Sequence, residues 1–181
     1  MIPATAGLGM KTLLCAIAFA ADKHRMQRRK DPDASPYINH PIALANVLAN
    51  EGAVEDVVVL AAAVLHDTIE DTETTAPELV AAFGLEIAGV VVEVTDDKTL
   101  SKETRKQAQI DHAADLSHRA KLVKLADKIC NVRDVASSPP ADWPLARRQD
   151  YFDWAKKVVD RMRGAHPELE QLFDKAYRLR P

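Results

Sequence analysis

The segment Val57–Leu65 is nine apolar residues in a row, and it runs without a break into His66-Asp67-Thr68-Ile69-Glu70-Asp71. The valines Val57–Val59 leave a buried strand open, but Ala61–Ala63 and the continuation through Asp67 predict a helix. A helix apolar all round is buried, so the remaining elements must wrap it. They must also accommodate a histidine and three acids at its end, because polar groups among aliphatics cost free energy unless paired or coordinated.

The rest of the chain predicts further helices. Pro41 suits a first helical position, and Ile42, Leu44, Ala45, Val47 and Leu48 give that helix a broad apolar face. Thr75-Ala76-Pro77-Glu78 has the pattern of a capping box opening a helix that stops near Phe83-Gly84. Another helix follows over about 85–95, with Val90–Val92 leaving a strand open, and then a polar turn at Asp96–Thr99. Leu122, Val123, Leu125, Ala126, Ile129 and Val132 mark a helix over about 119–135. Pro139, Pro140 and Pro144 mark a loop, and two helices over about 145–163 and 167–179 close the chain. No stretch keeps a period of two for long, so the expected class is all-α, a helical bundle.

The 181 residues, 47% hydrophobic and 28% charged, fit one globular domain. Residues 1–10 read as a loose leader and 11–181 as the domain. The weakly polar run Thr12–Ala21 after Lys11 has the layout of a signal peptide, but it is short, rich in alanine and continues into Asp22-Lys23-His24-Arg25. A buried amphipathic helix is the better reading, and the run is too short to span a bilayer. A formal charge of -3 argues against a global nucleic-acid binder. Cys15 and Cys130 form no framework, which suits a reducing cytoplasm.

His40, His66, Asp67 and Asp127 stand out chemically. His40 lies in the turn-like Tyr37-Ile38-Asn39-His40-Pro41, and Asp127 interrupts the apolar stripe Leu122–Val132. A lone histidine in such a place is a helix-terminal or hydrogen-bonded residue. Four such residues together make a nitrogen and oxygen ligand set suited to Mn, Fe or Zn. Glu70 and Asp71 follow His66 and Asp67 at a spacing of four, so a continuing helix would project all four side chains from adjoining positions. Carboxylates beside a metal can orient or deprotonate an attacking water. Asn131 shares a face with Asp127, as a ribose contact or a surface residue.

These residues sit in blocks that resemble one family. His24–Asp31, Pro36–Pro41, Leu65–Asp71, Glu93–Leu100, Ala120–Asn131 and Tyr151-Phe152-Asp153-Trp154 are similar to the small alarmone hydrolases of the HD-domain superfamily. That group comprises the hydrolase half of RelA/SpoT proteins and its metazoan homologues. The resemblance implies Mn²⁺-dependent removal of the 3′-pyrophosphate from guanosine tetra- or pentaphosphate (ppGpp or pppGpp), with one ion per site; Zn²⁺ and Fe²⁺ share the same ligand types. It implies His40, His66, Asp67 and Asp127 as ligands, Glu70 and Asp71 as the groups handling water, and Asn131 near the ribose. Arg29 and Lys30 would line the nucleotide pocket, with Lys102, Arg147 and Tyr151 nearer its phosphates.

The physics of the basic run agrees in outline. Residues 23–30 carry five formal positive charges in eight positions, suited to steering a polyanion. A solvated helix face and a localisation-type run are the bland alternatives. The chain departs from the family pattern at Cys130, where an aromatic is expected, and over Asp111–Arg119. A chain of this length leaves no room for a synthetase domain, so the expectation is hydrolysis without opposing synthesis. The partner is a small nucleotide, with neither nucleic acid nor membrane, and the oligomeric state is left open. The competing enzyme reading keeps the metal and changes the substrate, to NADPH 2′-phosphate or another nucleotide. A third reading is a nucleotide-binding module that has lost catalysis, against which the chain retains all six metal and acid residues.

Overall fold

The structure is a computed structural model that describes the backbone of residues 4–181 and the side chains from Gly9 onward. Its helices are α1 (Ala4–Lys23), α2 (Asn39–Asn46), α3 (Val57–Leu65), the single turn α4 (Thr68–Asp71), α5 (Ala76–Val94), α6 (Lys102–His112), α7 (His118–Ser137), α8 (Leu145–Asp160) and α9 (Pro167–Tyr177). Among the described residues no sheet forms, only an isolated antiparallel pairing of Arg28 with Pro36. The bundle expected from the sequence is therefore the fold.

Helix α3 is the centre. Val59 and Ala61–Leu65 are fully buried, with α1, α2, α5 and α7 packed around them. Its start is fixed by Asp56, whose carboxylate accepts from the Val58 amide at 2.9 Å. The second buried element is α7, capped by Ser117 and carrying Leu122, Val123, Leu125, Ala126, Ile129 and Val132 inward, with α8 and α9 on its far side. The C-terminal end of α3 thus meets the middle of α7, and that junction fixes the site.

Several local expectations are refined. Residues 4–10, read as a leader, form the first turns of α1, while residues 1–3 lie outside the described residues. Thr75 caps α5 by accepting from Glu78 N, and the predicted stop at Gly84 is a break inside α5, where φ is 84°. Only glycine adopts that conformation without strain. Val90–Val92 are helical. Helix α6 was not anticipated, because it buries none of its residues and so has no apolar stripe to read. The helix through His66 does not continue straight either. Asp67 sits at φ -99°, ψ 0°, between α3 and α4, in the bridge region common at functional sites.

After α2 the chain makes a π-helical turn, Val47–Glu51, closed by Gly52 N donating to Val47 O at 2.9 Å. Gly52 lets this turn approach α9: a Cβ there would lie 2.6 Å from Cδ2 of the fully buried Leu169. Gly89, within α5, has open space around a Cβ. The two glycines should therefore respond oppositely to alanine. Gly52→Ala should lose about 1–3 kcal/mol through overpacking, and Gly89→Ala should gain about 0.5–1 kcal/mol through helix propensity. Urea denaturation midpoints measure both, and equal signs would contradict this packing.

Candidate metal centre

His66 is held by its backbone-side nitrogen. Nδ1 lies 2.8 Å from the carbonyl oxygen of Ala63, so it carries the proton and donates. Nε2 is then a lone pair, buried and without a hydrogen-bond partner. It lies 2.9 Å from Asp67 Oδ2 and 4.0 Å from Asp127 Oδ1. His40 Nε2, from the start of α2, lies 3.4 Å from the same Asp127 oxygen. The donor atoms of His40, His66 and Asp67 all lie within 4.8 Å of one another. Asp127 falls outside that trio but faces both imidazoles.

This convergence fits a divalent cation. Ligands each about 2.1 Å from one ion lie no more than about 4.2 Å apart, and the 2.9, 3.4 and 4.0 Å separations satisfy that limit. An orphaned buried lone pair among carboxylates is also unfavourable unless a cation sits there. A second layer of contacts orients these side chains, as it does around metal ligands. Tyr37 donates its hydroxyl to Asp67 Oδ2. Asn131 Nδ2 and Lys128 Nζ donate to the two oxygens of Asp127 at 2.5 and 3.0 Å.

The electrostatics hold both aspartates ionised. Burial pushes the Asp67 carboxyl up, but the adjacent His66 and His40 outweigh it and leave it well below the usual range. Asp127 likewise overcomes burial, through Lys128 and the two histidines. Burial pushes His40 down, towards the neutral form that coordinates metal. Burial pushes His66 down, but Asp67, Asp127 and the Ala63 carbonyl together outweigh it and leave His66 raised.

Glu70 and Asp71 part company. Asp71 lines the main cleft, where Gln27 Nε2 donates to it at 3.0 Å and Lys98 pairs with it. Glu70 turns to other partners, accepting from the Asp96 amide at 3.2 Å and lying 3.7 Å from Arg105. Burial, with Asp67 and Asp96 nearby, raises its pKa. The divergence of Glu70 and Asp71 follows from their consecutive positions on α4, and the bend at Asp67 separates α4 from the line of α3, so the four side chains do not project as one continuous helix would have placed them.

The cleft has a volume of about 620 Å³ and is lined by His40 and Asp71 together with Arg29, Lys30, Asn131 and Tyr151. Four of the six expected nucleotide contacts are thus brought together. Lys102 and Arg147 lie outside the lining; Arg147 stacks over Trp143, a cleft residue, at 4.5 Å. Of the basic run, Arg28, Arg29 and Lys30 face the cleft, whereas Lys23 pairs with Glu78 and Arg25 with Asp22. The cleft is not simply basic, since Asp31, Asp71 and Asp134 also line it. Cys130 is buried beside the site, and burial pushes its thiol up to about 12, which leaves it inert. Tyr37, Gln27, Lys128 and Arg105 were not identified from sequence, although Tyr37 and Lys128 adjoin residues that were.

The comparisons with known proteins first give the class. The HD domain family model matches residues 16–151, and the chain belongs to that family. Within it, the chain is similar to guanosine-3′,5′-bis(diphosphate) 3′-pyrophosphohydrolase MESH1 of Danio rerio, 50% identical over 91% of this chain and 92% of the relative. The human protein of the same name is 50% identical over 93% of this chain and 94% of its own length. A solved structure of a metazoan orthologue of SpoT, described as hydrolysing ppGpp and playing a role in starvation responses, superposes with a TM-score of 0.91. Its identity is 47%, over 93% of this chain and 95% of that one. The GTP pyrophosphokinase rsh of Brucella melitensis is 34% identical over 90% of this chain but only 22% of its own length.

A ligand that binds only the folded state stabilises it by about 2.7 kcal/mol at one hundred times its dissociation constant. Mn²⁺ should therefore raise the melting temperature of the wild-type protein. Asp67→Ala and Asp127→Ala should lose that increment and copurify with little metal by elemental analysis. Undiminished metal content in both variants would remove these carboxylates from the ligand set.

Proposed function

We propose that this chain is a Mn²⁺-dependent 3′-pyrophosphohydrolase of ppGpp and pppGpp, with His40, His66, Asp67 and Asp127 holding the ion. The observation that carries the reading is the orphaned Nε2 of His66, facing two ionised carboxylates and a second imidazole beside a nucleotide-sized cleft. The relatives' printed activity supports the substrate.

Water is added across the bond between the ribose 3′ oxygen and its diphosphate, leaving GDP or GTP and free pyrophosphate. The bound ion supplies Lewis acidity and a lowered pKa for its water. Asp67 and Asp127 remain ionised as ligands, held so by their neighbours. Glu70, whose environment favours the proton-bearing form more than an ordinary carboxylate's does, takes and returns the proton of the attacking water. Asp71, pinned by Gln27 and Lys98, orients that water from the cleft side. Arg29 and Lys30 meet the diphosphates, Asn131 the ribose and Tyr151 the cleft wall. Lys102 and Arg147 remain candidates for an outer phosphate contact.

The reaction belongs to a stress response signalled by alarmones, and we assign the protein to the cytoplasm, consistent with unpaired Cys15 and Cys130. No helix among the described residues is long and apolar enough to cross a membrane. One domain carries the chemistry, and it includes α1.

A nucleotide panel assayed with and without Mn²⁺ tests this directly. ppGpp should yield pyrophosphate only with the ion. Orthophosphate from NADPH with ppGpp left intact would overturn the substrate in favour of a 2′-phosphatase. Glu70→Gln should keep metal content but lower kcat by about 10²-fold or more, the usual worth of a general base; normal turnover would remove Glu70 from proton transfer.

A further inference from the structure

Helix α6 is amphipathic in an unusual sense: none of its residues is buried, yet it is tied into the molecule at several polar points. Arg105 and Gln109, four apart, share one face. Arg105 Nη1 lies 3.7 Å from Glu70 Oε1. Gln109 Nε2 donates to Asp96 Oδ2 at 2.5 Å, and Gln109 Oε1 accepts from Lys128 Nζ at 2.9 Å. Lys128 is almost wholly buried and reaches Asp127 Oδ2 at 3.0 Å. The Asp96 amide, in turn, donates to Glu70. Trp154 of α8 completes the attachment, donating its indole N–H to Lys106 O at 3.0 Å and placing its ring 4.3 Å from Lys128 Nζ.

The contacts form one continuous path: Asp127, Lys128, Gln109, Asp96, Glu70, with Arg105 closing on Glu70. We propose that Gln109 and Arg105 are positioning residues for hydrolysis, joining the metal-ligand carboxylate on α7 to the water-handling carboxylate on α4. For Glu70 this rests on the functional reading above; the link to Asp127 stands independently of the substrate. The chemistry of Gln109 suits the task, because its amide accepts from the ammonium and donates to the aspartate at once. Without it, the Lys128 ammonium loses its amide acceptor and bears on Asp127 Oδ2 alone, drawing charge from the carboxylate whose other oxygen faces both histidines. The Asp96 loop also loses the anchor that aims its amide at Glu70. Arg105 acts at the Glu70 end alone. Groups that orient metal ligands in this way are typically worth about 10- to 100-fold in metal affinity or activity.

The test uses the full chain in two assays, calorimetric Mn²⁺ binding without nucleotide and steady-state ppGpp hydrolysis. Gln109→Ala should weaken Mn²⁺ and lower kcat, each by about tenfold or more, with KM within about twofold. Gln109→Glu keeps the acceptor for Lys128 but repels Asp96, so it should lower kcat and leave Mn²⁺ affinity intact. Arg105→Ala should lower kcat alone, with partial recovery in Arg105→Lys. Gln107→Ala controls for helix stability, since Gln107 is exposed and its amide donates to Asp111 on the same helix; it should behave as wild type. Wild-type Mn²⁺ affinity in Gln109→Ala, an equal loss in Gln107→Ala, or an Arg105→Ala effect confined to KM would each overturn the proposal. If the wild-type protein fails to hydrolyse ppGpp, the substrate reading falls, and the calorimetric arm still decides the link between α6 and Asp127.

Discussion

Two carboxylates and two imidazoles share a space from which water is largely excluded, and most of the surrounding structure can be understood as compensation for that. Burying an unpaired ionised group costs several kcal/mol even after relaxation. Asp67 and Asp127 nevertheless stay ionised, because His66, His40 and Lys128 act on them from within the same space. The compensation works only if the donors are held within tenths of an ångström. The apolar helix α3 gives that rigidity: with Val59 and Ala61–Leu65 buried in close-packed surroundings, its C-terminal end cannot shift without opening voids. Helix α7 holds Asp127 in the same manner, as a charge inserted into a row of aliphatics.

The acidic segment is divided between two environments. Glu70 and Asp71 are consecutive in α4, and consecutive helical side chains leave the axis about 100° apart. Asp71 thus faces the cleft with Gln27 and Lys98, and Glu70 faces α6 with Arg105 and the Asp96 amide. Neighbouring carboxylates placed in unlike surroundings acquire unlike proton affinities, which is the usual way one site assigns separate roles to two acids. The raised pKa of Glu70 follows from burial and from the nearby charges of Asp67 and Asp96.

What the sequence made legible follows a physical rule. Elements that bury apolar residues announce themselves, α3 by an unbroken run and α7 by a stripe at helical spacing, and caps such as Thr75 announce themselves by chemistry. The candidate ligands are visible because a polar residue in an apolar run is conspicuous: Asp127 among Leu122–Val132, His66 after Val57–Leu65. Helix α6 was invisible because its attachments are polar, and Arg105 and Gln109 look like any solvated residues. The partners Tyr37 and Gln27 depend on a loop closure, Arg29 N to Ser35 O and Tyr37 N to Gln27 O, which no local pattern encodes. The direction in which α4 carries Glu70 and Asp71 relative to His66 needed the backbone angle at Asp67. Lys102 and Arg147, which only the family resemblance implies, lie outside the cleft lining, because their places depend on how α6 and α8 pack and not on any local pattern.

The balance of charge in the cleft bears on how it chooses a ligand. Arg29 reaches Asp134 at 2.6 Å and Asn131 at 3.4 Å, and its guanidinium lies 5.7 Å from the Tyr37 ring. Both bonds leave from Nη2 of a five-donor guanidinium, and its partner Asn131 also holds Asp127. An anion entering here therefore meets a cation whose charge is already shared with Asp134. A singly charged ligand gains little from it, since the Asp134 carboxylate supplies the same charge-assisted hydrogen bond. Arg28, Arg29 and Lys30 are also matched in the lining by Asp31, Asp71 and Asp134. In a cleft so balanced, net charge does little, and an anion is held by setting several of its charges against the cations at once.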